Sequence, residues 1–325
     1  MSKVTSQRIY ANLTELVGNT PLLDVTDAVP GAQARILAKL EFFNPASSVK
    51  DRTSLSIVQE AIADGRLKPG GTIVEASSGN TGIALAWIGA ALGYRVVIAM
   101  PDDVSTERRG LLAALGAEVE LTPGPESMAG ANRRAGELVE EIEGAFLAGQ
   151  GGNSANPKIH RETTGPEIWR DTAGEVDFFV STTGTGGTMT GAGEYLKSQN
   201  PEVKVIAVEP AEAPVLRNGG EGFNPHLIQG IIGGNGIPPV LDLDLADEVL
   251  DVPGAEAYRV ARELAESQGL IVGISSGAAL HAAEQLATRE ENKGKTIVAI
   301  FPDSGERYLS TGLYSGNIPT AGEAV

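Results

Sequence analysis

Three times along the chain, a short apolar run leads into a loop of glycine, serine and threonine and then into a helix-forming segment. The first is Thr72-Ile73-Val74-Glu75 before Ser77-Ser78-Gly79-Asn80-Thr81-Gly82. The second is Asp177-Phe178-Phe179-Val180 before Gly184-Thr185-Gly186-Gly187-Thr188. The third is Leu270-Ile271-Val272-Gly273 before Ile274-Ser275-Ser276-Gly277, with a helix predicted over 278–286. Further apolar runs at 203–208 and 296–301 separate helices of ordinary length. Alternation of this kind predicts an α/β fold, a mostly parallel sheet with helices on both faces. Ligands on such sheets bind beyond the carboxyl ends of the strands, where these loops fall. The glycine-rich segment 149–153 is the candidate crossing between an N-terminal and a C-terminal lobe.

A fourth segment breaks a local rule. The run Arg35-Ile36-Leu37-Ala38-Lys39-Leu40 reads as a buried strand, and Val49, Thr53, Ile57, Ala61 and Ile62 recur at roughly helical spacing. Ser47 or Ser48 is a candidate N-cap. Lys50 therefore falls in a first helical turn, where the positive end of the helix dipole disfavours an ammonium. A lysine in such a place is a candidate for amine chemistry, which needs a depressed pKa. Pairing with Asp51, or simple solvation, is the structural alternative.

The loops carry chemistry of their own. The 184–188 loop has three glycines, which let backbone N–H groups approach an anion, and two hydroxyls. It suits a phosphate, although it lacks the lysine of a nucleotide P-loop, and glycine turns before helices also serve close packing. The 77–82 loop offers three hydroxyls and an amide at a helix start, which suits a carboxylate or a plain cap. The 273–277 loop reads as a serine cap.

Composition excludes several classes of function. With 25 basic and 42 acidic residues the net charge is −17, which repels nucleic-acid backbones and anionic lipid, and aromatics make up only 5%. There is no cysteine, so disulfides, thiolate nucleophiles and cysteine-ligated metals are ruled out. His160, His226 and His281 show no metal-ligand spacing and read as structural. The polar stretch 1–10 has no apolar core of a secretory signal. The apolar stretch 82–100 is interrupted by Gly93-Tyr94-Arg95 and reads as a helix (83–92) plus a strand (96–100) rather than a membrane span. The expectation is a soluble, cytoplasmic protein without nucleic-acid or membrane partners.

A lone lysine, a phosphate cradle and a carboxylate loop on one α/β scaffold point to pyridoxal phosphate acting on an amino acid. The segments 42–52, 77–82, Thr163-Thr164-Gly165-Pro166-Glu167-Ile168-Trp169, 184–188, 273–279 and Pro302-Asp303-Ser304-Gly305-Glu306-Arg307-Tyr308 closely resemble cysteine synthase, or O-acetylserine sulfhydrylase. The likeness runs from about Asn12 to Tyr314. It implies a two-lobed fold-type II pyridoxal-phosphate enzyme, similar to the tryptophan synthase β-subunit, with each lobe a mostly parallel twisted sheet flanked by helices. The implied lobes are 47–153, and 1–46 with 154–325.

Carried over position by position, the resemblance implies that Lys50 forms the internal aldimine and then removes the substrate α-proton. It implies that Asn80 meets the cofactor's phenolic oxygen, that Gly184, Thr185, Gly186, Gly187 and Thr188 bind its phosphate, and that Ser275 faces the pyridine nitrogen. Ser77, Ser78, Thr81 and Gln150 would hold the substrate carboxylate, with Asn80 beside them. A neutral hydroxyl at Ser275 leaves the ring nitrogen unprotonated and the electron sink weaker, which suits loss of a good β leaving group. The implied reaction is loss of acetate from O-acetyl-L-serine, an α-aminoacrylate intermediate, and addition of sulfide to give L-cysteine. The 77–82 loop would close on the carboxylate. The family also implies a homodimer, and a serine acetyltransferase whose C-terminal tail enters the cleft.

The chain departs from the family at Gln150-Gly151, where Gln-Phe is usual, and at Ser181-Thr182-Thr183, where small apolar residues and glycine are usual. Both bear on the acceptor and on partner peptides, not on the cofactor. Competing readings are a cystathionine β-synthase core, O-phosphoserine use, β-cyanoalanine synthesis, a mainly regulatory acetyltransferase-binding protein, and a nucleotide-binding α/β protein. The last leaves Lys50 unexplained.

Overall fold

The computed structural model describes residues 9–231, 236–316 and 318; most of the polar stretch 1–10 lies outside the described residues. The chain opens with β1 (Leu22–Asp24) and β2 (Arg35–Leu40), then passes through α1 (Lys50–Ala63), β3 (Thr72–Ala76), α2 (Asn80–Leu92), β4 (Arg95–Pro101), α3 (Thr106–Ala114), β5 (Glu118–Thr122), α4 (Ser127–Glu141) and β6 (Ala145–Leu147). A helical stretch follows: α5 (Ala155–Ile159), a π turn (His160–Thr164) and α6 (Gly165–Asp171). Then come β7 (Phe178–Thr182), α7 (Gly187–Gln199), β8 (Lys204–Pro210), β9 (Glu248–Val252), α8 (Gly254–Gln268), α9 (Ile274–Ala287) and β10 (Thr296–Phe301).

The strands form two sheets. One, in the order β5-β4-β3-β6, is wholly parallel. The other, β1-β2-β10-β7-β8-β9, is parallel except for the antiparallel pair β1–β2. Both sheets are covered on both faces, which is why their central strands are mostly apolar runs instead of alternating with polar residues, and why the few polar residues in them, such as Lys39 and Glu75, are buried. In the small sheet, Ile73 and Ile98 pack against Ile57 and Val58 of α1 and Leu85 and Ile88 of α2. Val74, Val97 and Ala99 turn the other way, onto Ala131, Ala135 and Leu138 of α4. In the large sheet, Ile36, Val180 and Ile297 face Tyr258, Leu264 and Leu280 of α8 and α9, while Leu37, Phe179 and Val298 face Met189 and Leu196 of α7.

Glycines set two of the closest helix crossings. A Cβ at Gly191 of α7 would lie 1.9 Å from the Pro157 carbonyl oxygen, and one at Gly277 of α9 would lie 2.1 Å from that of Ala257. The apolar stretch 82–100 resolves into the end of α2, a left-handed Gly93 and β4, and no helix among the described residues is long and apolar enough to cross a membrane.

One expected strand is absent. The run 270–273 makes only an isolated bridge, Val272 to Ser304. Its polar backbone groups are taken by the segment after β10 and by a tyrosine: Gly273 N–H donates to Asp303 O, Gly305 N–H donates to Ile271 O, and Val272 bonds Tyr314 Oη through both N–H and C=O. Helix α9 also starts earlier than the sequence suggests, at Ile274, so Ser275 and Ser276 lie in its first turn.

Candidate active site

Helix α1 begins between the two sheets. The N-cap position is Val49 and not the expected Ser47 or Ser48, but Ser48 Oγ, one residue earlier, accepts the Lys50 N–H at 3.2 Å, and Ser47 takes a left-handed turn at φ 58°. Lys50 is thereby held in the first turn. Its amine has no hydrogen-bond or ion-pair partner among the described residues. Burial pushes it down to about 8, opposed only by the charge of Asp303. Burial outweighs the opposing charge and favours an amine that loses its proton, and so becomes nucleophilic, more readily than an ordinary lysine.

The 77–82 segment follows β3. Ser77 Oγ accepts the N–H groups of Gly79 and Gly82 at 3.2 and 3.0 Å and so shapes the loop into the start of α2. The N–H groups of Ser78, Asn80 and Thr81 find no acceptor among the described residues. Thr81 Oγ1 donates to Gln150 Oε1 at 2.8 Å. Beneath them, Glu75 accepts the Gly149 N–H at 2.6 Å, and burial pushes its carboxyl up to about 7.

The 184–188 loop leads from β7 into α7. None of its five backbone N–H groups donates to an acceptor among the described residues. A row of open amides at the start of a helix, with the Thr185 and Thr188 hydroxyls beside it, fits a phosphate group. The loop glycines are sterically required: a Cβ at Gly184 would meet Gly230 O at 2.6 Å, and one at Gly187 would meet Asn156 Oδ1 at 2.0 Å. Asn156 Nδ2 joins the cradle to the other loop, donating to Thr185 Oγ1 at 2.9 Å and to Gln150 O at 3.0 Å.

Asn80 faces the third junction, the segment after β10. Its Nδ2 donates to Asp303 Oδ2 at 2.7 Å, and its Oδ1 accepts from Arg307 Nη1 at 2.5 Å. Arg307 also donates to the Ala46 carbonyl. Ser275 is buried at the start of α9, two residues after Gly273, whose N–H binds the Asp303 carbonyl at 3.0 Å. Thus Lys50, the 77–82 loop, Gln150, the 184–188 loop and the start of α9 are joined by one set of contacts.

Sequence reasoning gave no role to several residues of this set. Arg108 of α3 donates to Ser78 O at 3.1 Å and to Gln229 Oε1 at 2.7 Å, bridging the two halves across a cleft of about 170 Å³ that Arg307 also lines. His160 is buried, with Nε2 3.2 Å from Thr188 Oγ1 and Nδ1 2.8 Å from Thr164 Oγ1; burial and the Arg52 charge hold it down to about 3, so it is neutral. Asp303, Arg307 and Tyr308 lie in a segment the sequence singled out, but nothing in it marked their individual tasks. For Arg108, Asn156 and His160 no local pattern existed to be read.

The family model described as pyridoxal-phosphate dependent enzyme matches residues 13–303. A cysteine synthase of Staphylococcus aureus is 46% identical over 311 residues, covering 95% of this chain and 99% of its own length. The crystal structure of cysteine synthase from Entamoeba histolytica superposes with a TM-score of 0.91 at 46% identity, covering 99% of this chain and 96% of that one. An O-ureido-L-serine synthase superposes with a TM-score of 0.90 at 43% identity, covering 94% and 95%. The chain therefore belongs to the pyridoxal-phosphate-dependent enzyme family, in the group that contains the cysteine synthases.

Proposed function

We propose that this enzyme carries out a β-replacement, converting O-acetyl-L-serine and sulfide to L-cysteine and acetate. The observation that carries the reading is the partnerless amine of Lys50, set between an open amide cradle and a second loop with open N–H groups. The Staphylococcus and Entamoeba relatives supply the choice of reaction.

In this reading the amides and hydroxyls of Gly184, Thr185, Gly186, Gly187 and Thr188 hold the cofactor phosphate, Lys50 holds the aldehyde carbon, Asn80 the phenolic oxygen and Ser275 the ring nitrogen. When bound, pyridoxal phosphate supplies a sink for the electron pair left at the substrate α-carbon. Ser77, Ser78, Thr81 and Gln150 orient the substrate carboxylate, helped by the open N–H groups of the same loop. With its pKa near 8, Lys50 Nζ is available as the base that takes the α-proton. Loss of acetate and capture of sulfide then complete the exchange at the β-carbon. Arg108 ties the substrate loop to Gln229 across the cleft, which limits access of water.

The proposal extends to the assembly. Residues 47–153 form the smaller lobe, since α1 packs under β3 and β4, and 1–46 with 154–325 form the larger. Exposed Ile9, Tyr10, Leu13 and Leu16 offer a second copy an apolar face, supporting a homodimer. A cytoplasmic place is part of the same proposal; no helix among the described residues is long and apolar enough to cross a membrane. The tail of a serine acetyltransferase is a further candidate partner for the cleft.

Visible absorbance of the purified protein tests the reaction. A cofactor band that changes on adding O-acetyl-L-serine and returns on adding sulfide is expected. A band indifferent to O-acetyl-L-serine would rule out this donor, and no band after added pyridoxal phosphate would sink the enzyme reading.

A further inference from the structure

Asp303 stands where the starts of three helices meet. Its backbone bridges to Ser48, two residues before Lys50, and its carbonyl accepts the Gly273 N–H just before α9. Its carboxylate reaches Asn80 at the start of α2. Gly273 makes room for it: a Cβ there would lie 1.9 Å from Oδ1. Oδ2 accepts from both Asn80 Nδ2, at 2.7 Å, and Tyr308 Oη, at 2.6 Å. Oδ1 is buried and has no hydrogen-bond partner among the described residues. Burial and the neighbouring carboxylate hold the Tyr308 phenol well above its ordinary pKa, so it stays a donor.

A side-chain amide can present oxygen or nitrogen with almost the same shape, so its direction is set by its neighbours. Here Arg307 donates to Asn80 Oδ1 and Asp303 accepts from Nδ2, which fixes the amide. An NH₂ group has two protons, and Asp303 takes one. We propose that Asp303 is a positioning residue of the cofactor site, acting through Asn80: it binds one Nδ2 proton and so directs the other toward the cofactor's phenolic oxygen. This rests on the reading of Asn80 given above. A carboxylate with one oxygen doubly used and the other buried without a partner is more than packing alone would retain.

The test is equilibrium titration of apoprotein with pyridoxal phosphate, followed by visible absorbance. The variants are Asn80→Ala, Asp303→Ala, Asp303→Asn and the double variant Asn80→Ala with Asp303→Ala. Each single alanine variant should weaken cofactor binding about tenfold or more, the range for a hydrogen bond to a charged group. The double variant should bind no worse than Asn80→Ala alone, because one path is broken twice. Asp303→Asn keeps an acceptor oxygen and should recover most of the affinity. Multiplying losses in the double variant overturn the proposal, as does Asp303→Asn binding as weakly as Asp303→Ala. Unchanged affinity in Asn80→Ala overturns instead the reading of Asn80 on which it depends. Should Asp303→Ala not fold, Asp303→Leu, which removes the acceptor at similar volume, replaces it in the same cycle with Asn80→Ala.

Discussion

Lys50 and Arg52 lie two residues apart in α1, the first half-buried and the second fully buried, and their surroundings are opposite. Arg52 is fully buried and saturated: Nε binds Glu41 Oε2 at 2.7 Å, Nη2 binds Glu167 Oε2 at 2.7 Å, and Thr20 and Thr163 take further N–H groups. Lys39 joins the same cluster through Glu167 at 2.8 Å. Despite burial, the Arg52 and Lys39 charges hold Glu167 down to about 2. Every charge there has an opposite neighbour, although burial still lowers Lys39 against the pull of Glu167. Lys50 has no such neighbour, and burial drives it the other way, to about 8. Asp303 and Glu75 behave likewise, both raised by burial. The matched charges tie α1 to β2 and α6, whereas Lys50, Glu75 and Asp303 lie among the loops of the proposed site. The difference between Arg52 and Lys50 thus lies chiefly in their partners.

The widest break in that comparison is at Lys50 itself. Lys50→Ala should lower kcat/KM by about 10³-fold or more, the upper part of the range for proton transfer by a positioned group, while the fold persists. The apoprotein offers a second readout. Between pH 8 and 10.5 unfolded Lys50 keeps a proton that folded Lys50 has lost. Apoprotein stability should therefore rise with pH across that window, and the slope should shrink in Lys50→Ala. Denaturant unfolding at several pH values measures it; an unchanged slope means Lys50 titrates normally.

Next in size is the matched side. Arg52→Met leaves Glu41 buried without its ion-pair partner and Glu167 with Lys39 alone, and should cost about 3–5 kcal/mol of folding stability. The cofactor band should survive in whatever fraction remains folded, because Arg52 touches none of the proposed site. Arg52→Lys should restore little, since one ammonium cannot replace a guanidinium bonded at several points. A variant that unfolds at the wild-type denaturant midpoint would show the cluster to be dispensable.

These two residues also show what could be read in the chain. Lys50 was legible because helix electrostatics act over one turn, so a lysine at a capped start is conspicuous in the sequence alone. Arg52 was not, because its partners Glu41 and Glu167 come from other elements and only folding brings them together. The same holds within the site. The 184–188 and 77–82 loops announce themselves by local density of glycine and hydroxyls. Asn156, His160 and Arg108 act on those loops from α5, the π turn and α3, with no pattern of their own. The failed strand at 270–273 has the same origin. Its apolar side chains gave the right burial for Val272, but its backbone is satisfied by Tyr314 and the segment after β10 rather than by a sheet.

The smallest effect expected concerns a position with no side chain. If unmatched ground around the cleft is where specificity is set, Gly151 is the place to add a partner. Its φ is not positive, and a Cβ there meets nothing within 4 Å, so the backbone accepts a larger residue without strain. Its carbonyl accepts the Val240 N–H at 3.4 Å, a contact that substitution leaves in place. Gly151→Phe should thus change stability by less than about 0.5 kcal/mol, as at most surface positions. It sits next to Gln150, whose Oε1 is bonded to Thr81 of the 77–82 loop. An aromatic wall there should tighten binding of a serine acetyltransferase C-terminal peptide by on the order of tenfold, the worth of a modest anchoring contact. Calorimetric titration of that peptide into wild type and variant measures it. Equal affinities would mean that the missing ring is not what limits the cleft.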